Sequence, residues 1–186
     1  QKAKDLRFAK GIAVANINLA WINWLRSDDF PGMELLCKNA ISLLDDSPHQ
    51  KEFSHSWFLL ALSYWGQAKF SLSVEAFKRA SEIYATIGDE LNQGIMYSYI
   101  AWVEEGRGQY ARSLNYSVKW LEVANRHNDY RYSDVWAALY KNIGDYETSL
   151  HYYRQSADVA FNSPRKDDQA FLTQAIGEIF FLKQNY

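Results

Sequence analysis

Cysteine and proline are nearly missing from this chain of 186 residues, which has one of the first and three of the second. The single thiol, Cys37, excludes an internal disulfide framework and any cluster of cysteine metal ligands. So few prolines leave long helices uninterrupted. Charge of one sign is not in excess: 20 Lys and Arg face 22 Asp and Glu, for a net charge of -2. That balance argues against direct nucleic-acid binding through a dominant basic face. No apolar run reaches the roughly 18 residues a membrane span needs, so no membrane partner is expected. No signal-peptide pattern is visible, and a chain starting at Gln1 is expected to lack its true N-terminus. The compartment is left open by the lone cysteine, with the cytoplasm as the working expectation.

Devices for chemistry are equally scarce. The four histidines, His49, His55, His127 and His151, include no pair three or four apart, and no HExxH occurs. Gly106-x-Gly108-x-x-Ala111 formally matches a dinucleotide fingerprint, but a helical segment, Ile95 to Glu105, precedes it where a strand is required. It reads as a turn between helices. Glu104 and Glu105 are adjacent and diverge by roughly 100° on a helix, so they do not form an acid–base pair. Cys37 reads as a small buried hydrophobe. No catalytic residue, metal or cofactor is expected.

Aromatics, in contrast, make up 16% of the chain, with 7 Trp and 13 Tyr, and they recur regularly. Phe30, Phe70, Tyr110, Tyr146 and Tyr186 each end a short turn-like stretch, at intervals of 40, 40, 36 and 40 residues. Ahead of each comes a small residue beside a large one: Leu19-Ala20, Leu60-Ala61, Ile100-Ala101, Trp136-Ala137 and Ile176-Gly177. After each of the first four comes a helical face: Met33-x3-Cys37-x2-Ala40, Ser73-x3-Phe77-x2-Ala80, Ser113-x3-Ser117-x2-Trp120 and Ser149-x3-Tyr153-x2-Ser156. Each unit is predicted to be a helix, a tight turn and a second helix. The small residues, Gly177 included, are expected where the first helix meets its partner, because small side chains let backbones approach. One hairpin cannot cover its own apolar face, so neighbours must stack.

The second unit, Trp57-x2-Leu60-Ala61-x2-Tyr64 followed by Ser73-x3-Phe77-x2-Ala80, resembles the tetratricopeptide repeat (TPR) family. The first unit departs from the family pattern at Asn23, and the third at Glu104 and Ser117. The period exceeds the usual 34 residues, which implies helices longer by a turn or more. The resemblance implies an all-α, right-handed superhelical solenoid of antiparallel helix pairs. It is read as one repeat domain over 1–186, with units of about 9–49, 50–89, 90–128 and 129–165 and a partial unit at 166–186. Both ends read as cut, and the chain is expected to be part of a larger array or protein. The implied function is a noncatalytic module that binds a protein or peptide segment in a concave groove, in signal sensing or regulation. A regulatory segment of a larger transcription regulator, kinase or nucleotide cyclase is the alternative. So is an assembly scaffold that self-associates through uncapped ends.

By the family pattern the first helices line the concave side, and inward positions lie one and four after the small residue. Those positions hold Trp21 and Trp24, Leu62 and Trp65, Trp102 and Glu105, Ala138 and Lys141, Glu178 and Phe181. The expected groove is therefore an aromatic stripe of Trp21, Trp24, Trp65 and Trp102. Beside it stand charges of both signs: Glu105, Arg131, Asp134, Lys141 and Glu178, with Phe181 beyond them. A second reading stays open, in which these rings only fill a narrow interior. Trp57, Trp120 and Trp136 fall on packing positions instead. Chaperone-binding relatives clamp a terminal carboxylate with Lys and Asn. The matching positions here, Ile17 and Trp21, Phe58 and Leu62, Ser98 and Trp102, provide no such clamp.

Overall fold

The structure, a computed structural model, describes residues 2–26, 28–45, 47–129, 133–161 and 166–184. Among them are nine helices and no strand: α1 (Lys2–Arg26), α2 (Phe30–Leu44), α3 (Gln50–Gly66), α4 (Phe70–Thr86), α5 (Glu90–Gly106), α6 (Tyr110–His127), α7 (Asp134–Asn142), α8 (Tyr146–Phe161) and α9 (Lys166–Gln184). Each second helix starts on its turn aromatic, at Phe30, Phe70, Tyr110 and Tyr146.

One turn closes all four hairpins. The residue two before the aromatic is left-handed each time: Asp28 (φ 51°), Ala68 (φ 57°), Gly108 (φ 72°) and Gly144 (φ 84°). The next amide reaches back to the first helix, Lys69 to the Tyr64 carbonyl, Gln109 to that of Glu104 and Asp145 to that of Tyr140, at 2.8–2.9 Å. These bonds satisfy helix-end carbonyls in the Schellman manner. Glycine adopts that conformation at no steric cost, whereas Ala68 carries a Cβ there.

Between the helices the small residues do what their size predicts. Ala20, Ala61, Ala101 and Ala137 are all 0% exposed. Ser73 Oγ donates to the Ala61 carbonyl at 2.8 Å, and Ser149 Oγ to that of Ala137 at 2.6 Å, so a serine on the second helix bonds the backbone at its point of closest approach. Gly177 differs from its counterparts. It is exposed, and a Cβ there would meet nothing within 4 Å. The reason is that α9 packs mainly on α8, through Leu172, Ala175 and Ile179, and Gly177 lies off that contact. Gly94 shows the opposite condition, since its missing side chain is replaced by Val123 and Trp120 of α6.

Successive helices pack along the chain, and the first helices of neighbouring pairs also touch, α1 to α3 and α5 to α7. Second helices approach one another to no comparable extent, which makes the first-helix side the inner one. The array has a seam. α7 has nine residues where α3 and α5 each have 17, and it meets α6 only lightly. The apolar core accordingly divides. One part runs from Ala13 to Trp136, and the other gathers Ala137, Leu150, Tyr153, Leu172 and Ile179.

Candidate functional site

Three of the four predicted groove tryptophans stand in a row. The Trp24 and Trp65 rings meet edge-on with centroids 5.8 Å apart, and Trp65 and Trp102 lie 4.4 Å apart at an interplanar angle of 31°. Trp24 also contacts Phe30 at 6.0 Å. The row forms because a residue four after the small position on one first helix faces its neighbour's residue one or four after it. Trp21 points elsewhere, edge-on to His55 at 6.2 Å and tilted against Phe58 at 6.3 Å. Trp24 and Trp65 are half-buried and Trp102 is 39% exposed. Trp120 and Trp136 are buried, as their packing positions require, and Trp57 is half-buried.

Two hollows open on this row and share Trp102 and Gly106. The first, of about 580 Å³, is walled by Phe30, Trp65, Phe70, Trp102 and Val103, with Asp28 at its edge. Its shape depends on Gly66, where a Cβ would lie 2.4 Å from the Phe30 ring. The second, of about 310 Å³, lies at the seam. Glu105, Asp134, Lys141 and Asn142 line it together with Trp102, Tyr110, Tyr153 and Phe171.

The charges are ordered by cross-unit bonds. Asn142 Nδ2 donates to Glu105 at 2.7 Å, and Lys141 Nζ lies 3.1 Å from Glu178. Burial raises the Glu105 carboxyl above its ordinary value, opposed by the Asn142 bond and by Lys141. Burial also raises the Tyr153 phenol, and the negative charges of Asp134, Glu105 and Glu178 raise it further. Phe181 is exposed near the end of α9. Arg131 lies outside the described residues. Glu104 diverges from Glu105 as expected. It is 2% exposed and pairs with Arg107 at 3.2 Å and Arg112 at 3.9 Å.

A polar node absent from the sequence reading holds the first two units together. Glu34 of α2 accepts from Lys38 at 2.6 Å, from Gln67 at 2.9 Å and from Lys69 at 3.0 Å. Chiefly the Lys38 bond, with those of Gln67 and Lys69, holds its carboxyl down at about 2 against burial. Gln67 follows the last turn of α3 and Lys69 precedes Phe70, so the node fixes the turn that frames the first hollow.

Elsewhere there is little reactive chemistry. Burial pushes the Cys37 thiol up to about 12, which suits a packing role. Among the described residues no group of three or more His, Cys, Asp or Glu could hold a metal ion. None of their helices is long and apolar enough to cross a membrane.

Stacked antiparallel helix pairs joined by one repeated turn define an all-α repeat superhelix of the TPR-like class. Residues 54–87 match the tetratricopeptide repeat. No curated protein matches by sequence. Among solved structures, apo RapI superposes with a TM-score of 0.74 at 13% identity, over 95% of this chain and 54% of RapI. BtubC (BKLC) from P. vanneervenii gives 0.67 at 15% identity, over 96% of this chain and 82% of that one. A putative kinesin light chain from Podosopora anserina, with nearly identical TPR-like repeats, gives 0.66 at 10% identity over 92% and 86%. At these identities the likeness is one of fold. Such a fold generally serves protein–protein interaction or regulation.

Proposed function

We propose that this chain is a noncatalytic module that binds a peptide or protein segment along its first-helix face, in cytoplasmic signal sensing or regulation. The observation that carries the reading is the row Trp24–Trp65–Trp102, flanked by two hollows that share one indole. Large rings in a partly open concavity are the usual anchors of a recognition surface, and truncating one in a central position costs roughly 2 kcal/mol or more. The core-filling alternative accounts for Trp21, which packs against His55 and Phe58. It does not account for Trp102, which is over a third exposed and walls both hollows.

The test starts from random peptides displayed and selected on the full chain, with tryptophan fluorescence following the titration of each selected peptide. Trp65→Ala and Trp102→Ala are expected to weaken binding while helical circular dichroism survives. Folded variants that bind normally contradict the assignment. Variants that unfold return these rings to a packing role.

A further inference from the structure

One side of α1 departs from the burial that every other first helix shows. Two residues after the small position stand Ser63, Val103, Leu139 and Ile179, and one before it Leu60, Ile100 and Trp136, all at most 7% exposed. The second helix of the preceding pair covers this side. Ser63 Oγ donates to the Phe30 carbonyl of α2 at 2.8 Å, and Leu172 and Ile179 of α9 join Leu150 and Ala157 of α8 in one apolar cluster. On α1 the matching residues, Leu19 and Ile22, are 49% and 48% exposed. Among the described residues α1 packs on α2 and α3 by its other sides. Phe8, Ile12 and Ala15 are exposed in line with Leu19 and Ile22. Positions 8, 12, 15, 19 and 22 follow one another at intervals of four, three, four and three, the seam of a two-helix coiled coil. From Gly11 to Leu25 α1 carries no charged residue, which is the composition of an interface core and not of a wetted face.

We propose that this face of α1 pairs with the same face of a second copy of the chain, in an antiparallel two-fold contact. On α3, α5 and α9 the same side receives the antiparallel helix before it, so the contact continues the chain's own repeat-to-repeat interface. A two-fold contact needs a face that fits itself. Read backwards, the seam does so: Ile12 meets the partner's Ile22, and Ala15 meets the partner's Leu19, a small residue against a large one at both inner layers. Phe8, Ile12, Leu19, Ile22 and Leu25 expose roughly 500 Å² of apolar surface, hence roughly 1,000 Å² over two copies, the size at which stable interfaces begin. α9 also exposes rings, at Phe171, Phe180 and Phe181, but with the charges of Glu178 and Lys183 among them. Ile22 and Trp24 diverge by roughly 160° about the α1 axis, so pairing leaves the tryptophan row open.

Sedimentation velocity of the full chain across a wide concentration range is expected to show one chain passing into a species of two. Ile22→Glu, at a side chain half open in the single chain, is expected to weaken pairing about a hundredfold with helical circular dichroism unchanged. If that variant loses helix, Leu19→Ser reads the same contact. Ile143→Glu, on the exposed turn after α7, is expected to pair as before. Mixing Ile22→Glu with Ile12→Lys sets one Glu against one Lys and leaves an Ile–Ile layer intact. The mixture is therefore expected to pair about tenfold more tightly than either variant alone. A chain that stays single at every concentration overturns the proposal. Masses that grow past two copies replace the two-fold contact by head-to-tail stacking. Pairing that survives both Ile22→Glu and Leu19→Ser places the contact on another face. A mixture no tighter than its parts overturns the antiparallel register. A single chain that floats with phosphatidylcholine vesicles, and ceases to do so as Ile22→Glu, makes the face a lipid contact instead.

Discussion

Replacing Gly94 by alanine sets a methyl carbon 2.6 Å from Val123 Cγ1, 2.8 Å from Val123 Cβ and 3.0 Å from Trp120 Cε3. Carbon atoms pack best at about 3.5–4.0 Å, so α5 and α6 must separate or Val123 must leave its position. Overpacking of this kind costs about 1–3 kcal/mol. Opposing it, alanine is about 1 kcal/mol better than glycine inside a helix. The net expectation is a loss of about 0–2 kcal/mol, which alone would be hard to interpret. Gly11 supplies the control. It lies inside α1 but is exposed, and a Cβ there would meet nothing within 4 Å. The difference arises because Gly11 lies two residues further from its small residue, Ala20, than Gly94 lies from Ala101, which turns it by roughly 200° about the helix axis, away from the second helix. Gly11→Ala therefore keeps the propensity gain without the clash and stabilises by up to about 1 kcal/mol. Urea unfolding followed by helical circular dichroism, with slopes compared because repeat arrays depart from two-state behaviour, should separate the variants by about 1–3 kcal/mol. Equal shifts in the same direction would refute the close approach of α5 and α6 at Gly94.

Four further outcomes follow from the same geometry. Ala68→Gly, at φ 57° in the first-to-second helix turn of α3 and α4, should raise stability by about 0.5–1 kcal/mol in the same unfolding assay, since glycine already serves at Gly108 and Gly144. Ser73→Ala, which removes the bond to the Ala61 carbonyl, should cost about 1 kcal/mol, while Ser113→Ala should be near neutral because the buried Ser113 hydroxyl has no hydrogen-bond partner among the described residues. The stability that Glu34 contributes should be complete above its ordinary value of 4.5 and lost as pH falls toward about 2; Glu34→Gln should flatten that limb of the stability–pH curve. Burial lowers the His55 base below its ordinary 6.5, so the unfolded chain takes up the proton first and stability falls as pH drops below 6.5; His55→Leu should diminish that loss.

The fold was legible because its two determinants are local. A small residue and, nine or ten residues on, a turn aromatic mark each hairpin, and the buried alanines and the shared left-handed turn show why those residues are needed. The tryptophan row was legible for a related reason: positions four after Ala20 and Ala61 and one after Ala101 recur on one helical face. Trp21 shows where that reasoning stops. Its position follows the same rule, yet the rings of His55 and Phe58 on α3 draw it inward, which helix phase does not encode. The first hollow's Phe30 and Phe70 were visible as turn aromatics, but nothing local says that a missing Cβ at Gly66 lets Phe30 lie against α3. The Glu34 node joins residues 33 and 35 positions apart through single hydrogen bonds and has no periodic signature. The seam escaped for another reason. Trp136-Ala137 keeps the repeat pattern intact although the helix carrying it is only nine residues long.

The seven indoles provide the most direct measurement of whether the first-helix face is the recognition surface. In a titration of the full, isotope-labelled chain with the tightest peptide from random selection, the indole N–H resonances of Trp24, Trp65 and Trp102 should move together and saturate at one affinity. Those of the buried Trp120 and Trp136 should stay in place. Saturable binding that leaves the first three unmoved would place the ligand on another face and contradict the account.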